Sequence, residues 1–180
     1  MNITFMEHSI QLNVWQTKHE MISFLRSLEV GYLILGENPE QEEAFYTVSV
    51  LLGPSQKDRF GVGICSQGHG LIPALLLQPE SSTLMFGFNS DVVGIEIPYG
   101  TVSFRLGLDA LFYSFLPVHK RNMVLVLHEI GAVALNQKGQ MMWKFAKDVV
   151  TGAVIEEEFL YLTFMDSPPI RVHLSTGIAT

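Results

Sequence analysis

Hydrophobic residues follow two periods along this chain, and the longer one occurs at a single convincing place. In TKHEMISFLRSLE (Thr17 to Glu29), Met21, Phe24, Leu25 and Leu28 fall at i, i+3, i+4 and i+7, which gathers them on one face of a helix. Thr17 and Glu20 have the spacing of a capping box, in which each side chain satisfies a backbone N–H of the other residue. The pattern predicts one amphipathic helix near the amino end. Its stripe packs on the sheet of its own domain, with a docking face for a partner as the alternative.

Elsewhere the period is two, or the apolar runs are short, as strands require. Ile10, Leu12 and Val14 alternate with polar neighbours, and Tyr32 to Leu35 and Phe45 to Leu52 follow as strands. The GENPEQEE between those two reads as a solvated acidic loop. From about Phe60 the predicted strands are Gly61 to Cys65, Ala74 to Gln78, Leu84 to Phe88, Val92 to Ile97, Val102 to Leu106 and Phe112 to Leu116. Met123 to His128, Val133 to Asn136, Met141 to Phe145, Val149 to Ile155, Leu160 to Phe164 and Ile170 to Leu174 complete the series. Gly, Pro, Asn, Asp and Ser punctuate them about every ten residues, a spacing that belongs to antiparallel sheets. The second half has no room for the crossover helices of a parallel sheet.

A repeat runs through the strands. Gly61, Gly100, Gly139 and Gly177 are separated by 39, 39 and 38 residues. The last three close similar phrases: Met85 to Gly100, Leu125 to Gly139 and Leu162 to Gly177. Four residues after the glycine stand Phe104 and Trp143, with Cys65 at that offset from Gly61. A large ring at this step fills the gap between successive small sheets. Glu96, Asn136 and His173 precede the glycines, where a polar side chain bonds the turn backbone.

ALNQKGQMMW (Ala134 to Trp143) resembles the blade signature of quinoprotein-type β-propellers, and VHLSTG (Val172 to Gly177) and EIPYG (Glu96 to Gly100) are related endings. The resemblance covers about the last 120 residues and implies a mainly β fold. About three blade-like antiparallel repeats are expected, with a fourth marked only by Gly61, as an open or partial propeller; a sandwich or barrel is the alternative. The usual Asp of the motif is Asn136 here, with Glu96 and His173 in the other copies. The quinone of such propellers sits on the axis of a complete ring, so no cofactor carries over to an incomplete one.

Composition fits a single domain over residues 1–180, with a helix-containing part at 1–59 and the β repeats at 60–180. Apolar residues make up 48% and charged residues 16%, a balance that folds. Mean hydropathy is +0.28, yet no apolar run approaches the ~20 residues of a spanning helix, so no membrane association is expected. Glu7 and His8 interrupt the opening MNITFMEHSIQ, so no secretory leader is expected there. The lone Cys65 allows no internal disulfide and favours the cytoplasm. A net charge of −7 disfavours nucleic acid and suits a basic protein partner.

Tests for chemistry narrow the function. GVGICSQGHG (Gly61 to Gly70) has His69 and Gly70 where a phosphate loop needs Lys and Ser or Thr, so it reads as a turn between strands. Cys65 and His69 have the residue types of a nucleophile and base but no third orienting group. The six histidines lack metal-ligand spacing, and HExxH, CxxC and GxSxG are missing from the sequence. His128 and His173 read as turn residues, or as a pair across sheets. Tyr99, Trp143 and Tyr161 lie near repeat boundaries and are candidate anchors for a partner, with core packing the competing role and the favoured one for Trp143. The expected function is a non-enzymatic cytoplasmic protein, of immunity or accessory type, that binds a protein partner. The alternatives are a small hydrolase or transferase centred on Cys65 and His69, and a small-ligand binder using the mouth between repeats. An unpaired sheet edge would also permit a homodimer.

Overall fold

The computed structural model describes residues 2–5, 8–52, 58–97 and 99–180. The chain enters through β1 (Asn2–Phe5) and β2 (His8–Trp15), passes through α1 (Lys18–Arg26) and β3 (Gly31–Leu35), and returns through β4 (Ala44–Leu52) and β5 (Asp58–Ser66). Strands β1, β2, β4 and β5 form an antiparallel meander in that order. β3 runs parallel to β5 along its outer edge. The helix and the extra strand are thus an insertion between the second and third strands of a four-stranded unit.

Three more sheets follow without insertion. β6 (Ala74–Gln78), β7 (Thr83–Phe88), β8 (Asp91–Glu96) and β9 (Thr101–Gly107) form the second sheet in sequence order. β10 (Phe112–Val118), β11 (Met123–His128), β12 (Gly131–Asn136) and β13 (Met141–Ala146) form the third. β14 (Val150–Glu156), β15 (Phe159–Phe164) and β16 (Ile170–His173) form the fourth, beside which Val172 bridges Ala179. Within the last three sheets every pairing is antiparallel. The expected strands are all present among the described residues, and no closed barrel forms.

The sheets stack in sequence. Tyr46, Val48, Val50 and Val62 of the first meet Leu84, Phe86, Val93 and Ile95 of the second. Met85 and Val92 of the second meet Val124, Val126, Val133 and Leu135 of the third. Leu125, Leu127 and Ala134 of the third meet Leu160, Leu162 and Val172 of the fourth. Burying each large aliphatic side chain stabilises by about 1.5–3 kcal/mol, so each interface is a small core in its own right. The helix closes the other side of the first sheet: Met21 and Leu25 are fully buried against Cys65, with Trp15, Leu28 and Phe45 around them. The capping box is formed, with Glu20 N donating to Thr17 Oγ1 and Thr17 N to Glu20 Oε2. The stripe predicted from spacing therefore covers the domain's own sheet.

The glycine repeat has a structural meaning for three of its four members. Gly100, Gly139 and Gly177 adopt φ of +62, +74 and +70°, a left-handed turn conformation that suits glycine. Each also lies against a ring of the preceding sheet: Phe60 under Gly100, Phe104 under Gly139 and Trp143 under Gly177, with no room for a Cβ. Ring and glycine together form a seam at all three interfaces.

Gly61 does not belong to this series. It lies within β5, where a Cβ would strike Leu25 and Leu28, so it clears the floor beneath the helix. Its spacing of 39 residues is coincidental, and Phe60 rather than Cys65 is the first seam residue. The expectation of about three repeats is accordingly corrected to four sheets, the first disguised by its insertion. The glycine-rich stretch is likewise strand as far as Ser66, and the turn starts only at Gln67.

Candidate functional site

α1 closes one end of the stack, and among the described residues nothing buries the outer face of the fourth sheet at the other. In β15 the side chains of Leu160, Leu162 and Phe164 point into the core shared with the third sheet, so alternation turns Phe159, Tyr161 and Thr163 outward. In β14 and β16 the same rule places Val154, Glu156, Arg171 and His173 on the outer side, opposite the inward Ala153, Ile155, Ile170 and Val172. The strand register aligns them in two rows: Val154, Tyr161 and Arg171, then Glu156, Phe159 and His173.

The face has internal order. The Arg171 guanidinium lies over the Phe159 ring, 4.8 Å from its centroid, while Arg171 Nε donates to Thr180 Oγ1 at 3.0 Å. Phe159 stands edge-on to His173 and near Tyr161, with centroids 5.4 and 6.5 Å apart. His173 Nε2 is 3.6 Å from Glu158. Val154 is 55% exposed and Tyr161 37%.

Of the residues proposed from sequence, Tyr161 sits at the centre of this face. Tyr99 is 76% exposed, in the turn before Gly100 and away from the terminal sheet. Trp143 is buried in the seam with Gly177, and its Nε1 donates to the Leu174 carbonyl at 2.6 Å. That geometry gives it the core role and leaves no ring face for a partner. Phe159 and Arg171 were missed by sequence reasoning; the signal was their alternation with the inward Leu160, Leu162 and Val172.

Cys65 and His69 occupy different surroundings. Cys65 is fully buried beneath the helix. Burial pushes its thiol up to about 12, and Glu42 adds to the shift while Lys18 opposes it. A thiol so shifted is protonated at neutral pH, the reverse of an activated nucleophile. His69 is on an exposed turn with its Nε2 2.9 Å from Gln67 Oε1. No hydrogen bond or ion pair joins the two among the described residues. The acidic loop is tied down rather than free: Lys18 Nζ meets Glu37 at 3.2 Å and Glu42 at 2.9 Å, and Glu42 raises the lysine's pKa.

His128 and His173 are not a pair. His173 caps its turn, accepting from Ser175 N at 3.3 Å, as Asn136 does from Lys138 N and Gln140 N. His128 is no turn residue: it is fully buried at the end of β11, and neither ring nitrogen has a hydrogen-bond partner among the described residues. Burial lowers its pKa, with the Asp109 carboxylate opposing and Lys144 adding to the shift. Asp109 and Lys144 form an ion pair with each other.

Clefts mark the mouths between sheets. Leu76, Pro79, Pro117, His119 and Met123 line one between the second and third sheets. Val118, His119, Arg121, Ile155 and Glu158 line another, between the third and fourth. Arg121 spans the second cleft by bonding Ser175 and Glu158. No group of three or more His, Cys, Asp or Glu able to hold a metal occurs among the described residues, and no described helix is long and apolar enough to cross a membrane.

No protein-family model matches the sequence, and no curated protein matches it. Solved propeller-like structures do resemble the fold. The computationally designed Ika4 protein superposes with a TM-score of 0.50 at 13% identity, over 64% of this chain and 74% of Ika4. The designed Ika8 protein gives 0.52 at 13%, over 79% of this chain and 46% of Ika8. Sqt1 of Saccharomyces cerevisiae gives 0.51 at 16%, over 80% of this chain and 45% of Sqt1. The matches span less than half the length of Ika8 and of Sqt1. At such identities the likeness is one of fold: a mainly β, propeller-like series of antiparallel sheets.

Proposed function

We propose that this chain is a non-enzymatic binding module that docks another protein on the outer face of its fourth sheet. The observation that carries the reading is the contrast between equivalent strands. β11 turns Met123, Leu125 and Leu127 toward a covering sheet, whereas β15 turns Phe159, Tyr161 and Thr163 outward with Arg171 beside them. The terminal face exchanges aliphatic side chains for Tyr, Thr and Arg, which tolerate water alone and anchor a partner when covered. A face that mixes aromatic rings with polar groups is suited to a partner that covers it.

The finer kinship with quinoprotein-type blades belongs to the same proposal. It is supported by the Asn136 turn and by the Trp143 ring against Gly177. No quinone is assigned to the four sheets described. The cytoplasm is the proposed compartment, from the lone buried Cys65, as for an immunity-type or accessory protein. The net charge of −7 favours a protein partner over nucleic acid.

Affinity capture with immobilised wild type and with Tyr161→Ala tests the reading. One protein is expected on the wild type and lost from the variant by about tenfold or more, the scale of an anchor tyrosine, at an unchanged melting temperature. Equal capture by both moves the docking surface elsewhere, and capture by neither contradicts the reading.

A further inference from the structure

We propose that the partner of this face is a second copy of the chain, related by a two-fold axis along the strands. The inference rests on reading the face as a docking surface and adds its occupant. Its basis is the distribution of charge. Glu156 stands on β14 at one flank and makes no ion pair among the described residues, while Arg171 and His173 stand on β16 at the other. The Arg171 guanidinium, lying over Phe159, brings its charge into the row of Glu156.

A two-fold axis parallel to β15 turns the face over so that β14 of one copy lies above β16 of the other. Tyr161 then faces the partner's Tyr161, and Phe159 faces the partner's Phe159. Glu156 meets the partner's Arg171 and the partner's His173, and by symmetry the same contacts occur twice. An isologous interface needs this self-complementarity, with opposite charges at opposite flanks of an aromatic centre.

The opposite end of the stack is covered by α1, so association closes at two copies rather than running on as a filament. Three strands spaced about 4.8 Å apart and rising about 3.3 Å per residue give a face well below the ~800 Å² that each partner of a standard interface buries. The pairing is therefore concentration-dependent. The charge of −7 on each copy opposes approach at low salt, and near 0.15 M its range falls to about 8 Å, where the local pairs decide.

Sedimentation velocity in about 0.15 M salt, over roughly a hundredfold range of concentration, tests the pairing. Wild type is expected to pass from monomer to dimer. Glu156→Arg and Arg171→Glu each place like charges in contact and weaken association by about tenfold or more. Mixing the two variants creates opposite charges at both contacts and restores the dimer. A wild type that stays monomeric, single variants that dimerise like wild type, or a mixture that stays monomeric overturns the inference. A monomeric wild type leaves the docking reading to the capture experiment, whose Tyr161 dependence does not require self-association.

Discussion

At the scale of single residues, position decides what each chemical group can do. Cys65 has the right element for nucleophilic chemistry, but burial under Met21 and Leu25 makes it a small hydrophobe. His128 ends β11 where Phe88 ends β7 and Phe164 ends β15, so an imidazole occupies a position that the neighbouring sheets fill with a ring lacking polar atoms. Its two nitrogens are buried without hydrogen-bond partners among the described residues. Because burial lowers the folded-state pKa, the unfolded chain takes up the proton first as pH falls through about 6.5. Stability is thus complete above that pH and declines below it. Denaturant unfolding should show wild type losing stability between pH 7 and 5. His128→Phe should be flat over that window and about 1 kcal/mol or more stabler at its acid end. An unchanged slope in the variant would assign the acid loss to other groups. The sequence displayed a histidine at a strand end, and alternation alone could not say that the end was covered.

At the scale of elements, the seams hold the sheets in order. Each interface joins aliphatic side chains to one ring lodged beneath a left-handed glycine of the next sheet, which fixes both spacing and rotation. The third seam adds a hydrogen bond from Trp143 to the Leu174 carbonyl. Trp143→Ala should cost about 3–5 kcal/mol by emptying the seam. Trp143→Phe should cost about 1–3 kcal/mol by leaving that carbonyl unpaired. Denaturant midpoints measure both, and a phenylalanine variant as weak as the alanine one would show that indole shape rather than the bond matters. Strand positions were readable because period and punctuation agree over the second half. The first sheet was not, because α1 and β3 break the meander between β2 and β4. Gly61, placed by packing under the helix, mimicked the repeat and hid Phe60 one residue before it.

At the scale of the whole molecule, the stack has two unlike ends. The first sheet is sealed by an amphipathic helix, and the fourth presents Tyr161, Phe159, Arg171 and Val154. Sequence alone supplied Tyr161 and the helix; it could not set them at opposite ends, since that depends on the order in which the sheets stack. It favoured the core for Trp143, which is buried, but left the face of Tyr99 undecided, because a repeat boundary can be a turn or a seam. Amide hydrogen exchange, compared between the free protein and its complex, tests where binding occurs. Binding on the terminal face should slow local opening there, with protection in peptides covering Val150–Glu156, Phe159–Phe164 and Ile170–His173 and none in Lys18–Arg26. Protection confined to the helix, or to the cleft segments around Pro79 and Pro117, with the fourth sheet unchanged, would contradict the account.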